Sequence, residues 1–201
     1  MHNIDKILLI FKKNLLLLFI LDFRMKNEII VLIGGPSSGK STLINELIKN
    51  GHTCFPEISR EIIKKAQEDG IDQLFLENPL LFSELLLEGR KKQFLDAQNH
   101  ESNIVFIDRG LPDVVAYMDF IGDTYPKIFT ETCINHKYTN VFMLPPWKEI
   151  YTSDEERYET FEQALEIHNH LVKTYEKFGY QITEVPKDTV EKRAAFILER
   201  I

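Results

Sequence analysis

An apolar, strand-forming run at residues 29–33 leads straight into Gly34-x-x-x-x-Gly39-Lys40-Ser41, and helical spacing of apolar residues (Leu43, Ile44, Leu47, Ile48) begins at once. No other feature of the 201-residue chain restricts its fold as much. Glycines let a tight loop turn its backbone N–H groups toward one point at low steric cost, and the helix that follows adds the partial positive charge of its N-terminus. A strand, a loop of this spacing and a helix, in that order, make a cradle for a polyphosphate. Gly34, Gly35, Pro36, Ser37, Ser38, Gly39, Lys40, Ser41 and Thr42 are the predicted nucleotide contacts, with Lys40 reaching the β- and γ-phosphates and Ser41 ligating Mg²⁺. Average residue usage would produce the four fixed positions by chance in on the order of one chain in a hundred of this length.

The remaining pattern alternates. Strand candidates at 52–56, 104–107, 141–144 and 180–185 are separated by helical periodicity at 57–68, 79–99, 112–121 and from 154 to about 178, with a last helix over 190–201. Residues 71–78 read as a polar connection. Strands alternating with helices predict an α/β fold with a parallel sheet covered on both faces. Ligands of such sheets bind beyond the carboxyl ends of the strands. Gly34, Glu57, Asp108 and Pro145 each follow a strand candidate, so the chain returns four times to one rim.

Composition narrows the functional classes. The formal charge is −7 and no Lys/Arg cluster is present, which argues against a nucleic-acid partner. A hydrophobic content of 44% over this length supports one domain, predicted to span residues 25–201. Cys54 and Cys133 stand far apart with no C-x-x-C pair, as expected of buried thiols in a reducing, cytoplasmic setting. The histidines lack metal-ligand spacing, and His168 falls on an apolar helical stripe where packing accounts for it. Residues 1–24 form an apolar extension in which Lys12 and Lys13 split residues 4–23 into two pieces, each shorter than the roughly 20 residues that span a bilayer. Three readings apply: a stretch ahead of a true start at Met25, a segment that contacts a membrane surface or partner, or a cleaved targeting sequence.

Other residues at the rim could carry chemistry, and each has a plainer reading. Asp108, after an apolar strand, is placed to hold Mg²⁺ or to cap the next segment. Arg109 could clamp a phosphate, or pair with Asp113 or Asp119. Glu57, in PEISRE with Arg60, could take a proton from a substrate hydroxyl, or favour a helix N-terminus as acids do. Arg157, in a charged run, could close over the transferring phosphate or remain solvated. Trp147, after Pro145-Pro146, could cover a ligand or plug the sheet edge.

GGPSSGKST, PEISREII, FIDRGLPDVVAYM, PPW with DEERY, GYQITEVP and VEKRAAFIL together resemble the P-loop ATPase domain family that includes the bacterial ribosylnicotinamide kinase domain and an insect protein of TRP-channel trafficking. The layout is also similar to nucleoside and nucleoside-monophosphate kinases, without the paired lid arginines of many of the latter. This resemblance implies a three-layer P-loop NTPase fold with a five-stranded sheet of order 2-3-1-4-5. It implies Glu57 as base, Asp108 and Arg109 lining phosphate and acceptor, and Arg157 as a lid arginine. The leading expectation is a Mg²⁺-dependent phosphotransferase using ATP, with GTP also possible, on a small nucleoside-like acceptor. The alternative is a nucleotide-dependent binding protein or switch with slow hydrolysis.

Overall fold

Two apolar faces on each central strand decide the architecture of the computed structural model, which describes residues 27–151 and 160–201. The N-terminal extension, Arg157 and the helix start predicted at residue 154 lie outside the described residues. In chain order come β1 (Glu28–Ile33), α1 (Lys40–Lys49), β2 (Thr53–Phe55), α2 (Ser59–Glu68), α3 (Leu74–Glu77), α4 (Pro79–Gln98) and β3 (Ile104–Asp108). They are followed by α5 (Leu111–Ile121), α6 (Ile128–Asn135), β4 (Asn140–Met143), a 3₁₀ turn (Lys148–Ile150), α7 (Phe161–Lys177), β5 (Ile182–Glu184) and α8 (Val190–Leu198).

The five strands form one parallel sheet in the order β2-β3-β1-β4-β5, the order that the family resemblance implies. β1 lies at the centre, with Val31 opposite Ile107 on β3 and Val141 on β4. Because side chains alternate along a strand, Ile29, Val31 and Ile33 face one layer of helices and Ile30 and Leu32 the other. Phe94, Ala116, Ile167, Leu171 and Tyr175 cover the first face, from α4, α5 and α7. Leu43, Ile44, Leu47, Ala194 and Ile197 cover the second, from α1 and α8. A third cluster joins α4, α5 and α6 through Leu87, Val115, Phe129 and Cys133.

Helix starts follow capping chemistry. Asn78 accepts from the Leu81 N–H with Pro79 in the first turn of α4, and Thr160 with Gln163 makes a capping box on α7. α2 begins at Ser59 rather than at 57, because the Glu57 carboxylate itself accepts from the Ile58 and Ser59 N–H groups. Two helices were absent from the sequence reading. α3 occupies the supposed polar connection, and α6 is an eight-residue helix whose buried Phe129 and Cys133 pack beneath α5. Leu81, Leu85, Leu95 and Leu165, apolar positions within predicted helices, are exposed. Among the described residues no helix is long and apolar enough to cross a membrane.

Candidate active site

The carboxyl ends of β1, β2 and β3 deliver three groups of side chains to one place. From β1 the loop turns at Gly34 and reaches α1 through Gly39, whose φ of 81° is a left-handed conformation. A Cβ on Gly34 would stand 2.6 Å from the Leu144 carbonyl oxygen, so the loop approaches β4 as closely as backbone allows. Lys40 is buried in the first turn of α1 and folds back over the loop, donating from Nζ to the Gly34 carbonyl at 2.9 Å. Burial, and then the neighbouring Arg109, push its amine down to about 8. Pro36 and Ser37 line the turn, Ser38 is buried beneath it, and Ser41 and Thr42 are exposed at the start of α1.

β2 ends in Pro56-Glu57, and the Glu57 carboxylate lies between two arginines. Arg109 Nε approaches Oε2 at 2.6 Å, and Arg90 Nη2 donates to Oε1 at 3.3 Å. Burial alone would raise the Glu57 pKa. Arg90, then Arg109 and the Ser59 N–H, outweigh it and hold the acid down to about 2. The helix-start reading of Glu57 is thus realised, and the same carboxylate faces the rim cations. Arg60, in the first turn of α2, is exposed.

β3 ends in Asp108-Arg109. Asp108 is 7% exposed, its Oδ1 has no hydrogen-bond partner among the described residues, and burial raises its pKa. An orphaned carboxylate oxygen at the end of a strand, on the rim where the phosphate loop also ends, is a donor that suits Mg²⁺. No cluster of three acidic, histidine or cysteine ligands exists among the described residues, and a metal shared with phosphate oxygens does not require one. Arg109 has φ of 66°, unusual for a residue with a side chain, while its N–H still continues the ladder to the Leu32 carbonyl. Of the two aspartates considered as its partners, Asp113 lies 3.6 Å away, whereas Asp119 accepts from the Tyr125 hydroxyl.

Sequence reasoning missed Arg90 and Tyr175 in this constellation and offered Asp113 only as a partner of Arg109. Arg90, 3% exposed on α4, also donates to the Gly110 carbonyl at 3.0 Å. Its signal was present, as a charged residue on a helical stripe with Leu86, Leu87, Phe94 and Ala97. Asp113 is fully buried and accepts from the Gly110 N–H at 2.8 Å and from the Tyr175 hydroxyl at 2.6 Å. No local pattern could have linked α7 to that aspartate. Cys133 is buried, as expected, while Cys54 is half-buried; burial pushes Cys54 up to about 11 and Cys133 up to about 12, so both stay protonated. His168 is half-buried and burial lowers its pKa.

The sequence model of a family described as an AAA domain matches residues 29–193, the span that contains the loop, the two rim motifs and all five strands except the first residue of β1. The chain belongs to this AAA domain family. Its fold also matches solved structures at low sequence identity. The NadR protein in complex with NAD and AMP-PNP aligns at TM-score 0.65 and 17% identity over 87% of this chain and 49% of that one. NadR in complex with NR aligns at 0.68 and 18% over 89% and 52%. This AAA domain thus spans about half the length of the NadR structures. The deoxyadenosine kinase of M. mycoides with bound dATP aligns at 0.60 and 18% over 87% and 98%. These likenesses show a P-loop kinase-like fold. No curated protein matches the chain.

Proposed function

We propose that this AAA domain is a Mg²⁺-ATP-dependent phosphotransferase acting on a small, nucleoside-like hydroxyl acceptor. One observation carries the proposal: an ionised carboxylate, Glu57, is held by two arginines at the rim next to the phosphate loop. A protein that only binds nucleotide has little need for an acid fixed there. An acceptor hydroxyl does, because it must be oriented and must lose its proton as the phosphoryl group arrives. The kinase-like fold and the nucleotides in the neighbouring structures point the same way.

Each residue has a part in this scheme. The loop N–H groups and Lys40 neutralise the β- and γ-phosphates, and Lys40 exchanges its bond to the Gly34 carbonyl for phosphate oxygens. Ser41 and Oδ1 of Asp108, which has no hydrogen-bond partner among the described residues, would hold Mg²⁺, which supplies charge neutralisation to the phosphates when bound. Glu57 accepts the acceptor's hydrogen. Its low pKa makes it a weak base, and a loose phosphoryl-transfer transition state asks more for positioning than for basicity. Arg109 keeps Glu57 ionised and adds positive charge where the phosphoryl group passes, with Arg157 assigned to closure over it.

Replacing Glu57 by Gln removes the proton acceptor at nearly constant shape. Acceptor phosphorylation should fall at least 100-fold, in line with typical general-base contributions, while ATP affinity changes little. Turnover within a few-fold of wild type would refute the assignment of Glu57.

A further inference from the structure

α8 buries a guanidinium that has no counter-ion among the described residues. Arg193 is 4% exposed, no carboxylate pairs with it among the described residues, and its Nε has no hydrogen-bond partner there. Desolvation lowers its pKa, as expected for a cation taken from water without compensation. Its guanidinium contacts the phosphate loop and Trp147. Nη2 donates to the Ser38 carbonyl at 2.9 Å, Nη1 occupies the space 2.7 Å from where a Cβ on Gly39 would sit, and the guanidinium lies 5.7 Å from the Trp147 ring centroid.

The geometry of one peptide unit gives this arrangement a consequence. In a trans peptide the carbonyl and the following N–H point in opposite directions, and every peptide among the described residues is trans. Holding the Ser38 carbonyl against Arg193 therefore turns the Gly39 N–H away from α8, toward the side on which a phosphate is cradled. Gly39 can adopt the φ of 81° this demands because it lacks a Cβ, and that same absence leaves room for the guanidinium. We infer that Arg193 is a positioning residue of the nucleotide site: it orients the Ser38–Gly39 peptide for a phosphate, and the bound polyphosphate supplies negative charge that no carboxylate among the described residues brings to the buried guanidinium. The inference rests on the nucleotide-binding half of the proposed function and is independent of the acceptor chemistry.

The test measures binding with no acceptor present, so failure of the phosphotransfer reading does not register in it. Calorimetric affinities for MgATP and for magnesium tripolyphosphate are compared in wild type, Arg193→Lys and Arg193→Met, together with the melting temperature of each ligand-free protein. Arg193→Met should weaken both ligands roughly 10- to 100-fold, the range expected for a lost charge-assisted hydrogen bond, while ligand-free melting holds or rises because an uncompensated charge has gone. Arg193→Lys, which keeps the charge without the planar fork, should lie between the two. Trp147, the single tryptophan, should change its emission on MgATP binding in wild type and lose most of that change in Arg193→Met. MgATP affinity within two-fold of wild type in Arg193→Met would overturn the inference, as would lowered ligand-free melting with unchanged affinity. Should Arg193→Met fail to fold, wild-type affinity in Arg193→Lys would overturn it and weakened affinity with unchanged melting would support it. A wild-type protein that binds neither ligand would end both this inference and the nucleotide reading.

Discussion

Glu57 joins helix formation to the site chemistry in one carboxylate, and its titration makes that coupling measurable. Its folded pKa of about 2 lies below the ordinary 4.5, so the ionised form stabilises the fold at every pH above the unfolded value. That contribution, roughly 3 kcal/mol from the size of the shift, is lost as pH falls toward 2. Denaturant unfolding between pH 5 and 2 should therefore show a steeper loss of stability in wild type than in Glu57→Gln. Lys40 gives a second signature with the opposite sign. Its amine, pushed down to about 8, regains a proton above that pH when phosphate arrives, so MgATP binding should weaken above pH 8 and take up protons there. Calorimetry in buffers of different ionisation enthalpy reads that uptake directly. Lys40→Ala should lose tight MgATP binding and all turnover.

Between elements, a buried polar chain fixes the rim. Tyr175 on α7 donates to Asp113 on α5, Asp113 accepts the Gly110 N–H, and Arg90 on α4 ties the Gly110 carbonyl to Glu57. Tyr175→Phe removes one partner of a fully buried carboxylate and should cost about 1–3 kcal/mol in denaturant unfolding, with a loss of acceptor turnover larger than any change in MgATP affinity. The strands and the helices around them were legible because each is long enough to show a period, and because the phosphate loop dates the first strand. α3 and α6 were not, since four and eight residues scarcely complete a hydrophobic repeat and their burial depends on α5 and α4. The same limit applies to the site. Glu57, Asp108 and Arg109 announce themselves at strand ends, whereas Arg90, Tyr175 and Arg193 matter through partners 20 to 155 positions away in sequence.

For the whole molecule, the position of β1 explains why these groups meet. Successive crossovers leave β1 flanked by β3 on one side and β4 on the other, and the crevice at such a switch of direction opens at the strand carboxyl ends. The phosphate loop rises from that central strand, Asp108 and Arg109 from its neighbour, and Glu57 from the edge strand beyond. Alternation of strands and helices is enough to predict the rim; the strand order itself came from family resemblance, because periodicity carries no information on which strands pair. The most direct test of the central claim is ADP release from Mg²⁺-ATP by the wild-type protein and Lys40→Ala, across pools of nucleosides, nucleotides, ribosylated vitamins and short alcohols. The phosphotransferase account predicts release stimulated by one pool, accompanied by a phosphorylated acceptor and lost in the variant. A slow rate that is the same in every pool would contradict it.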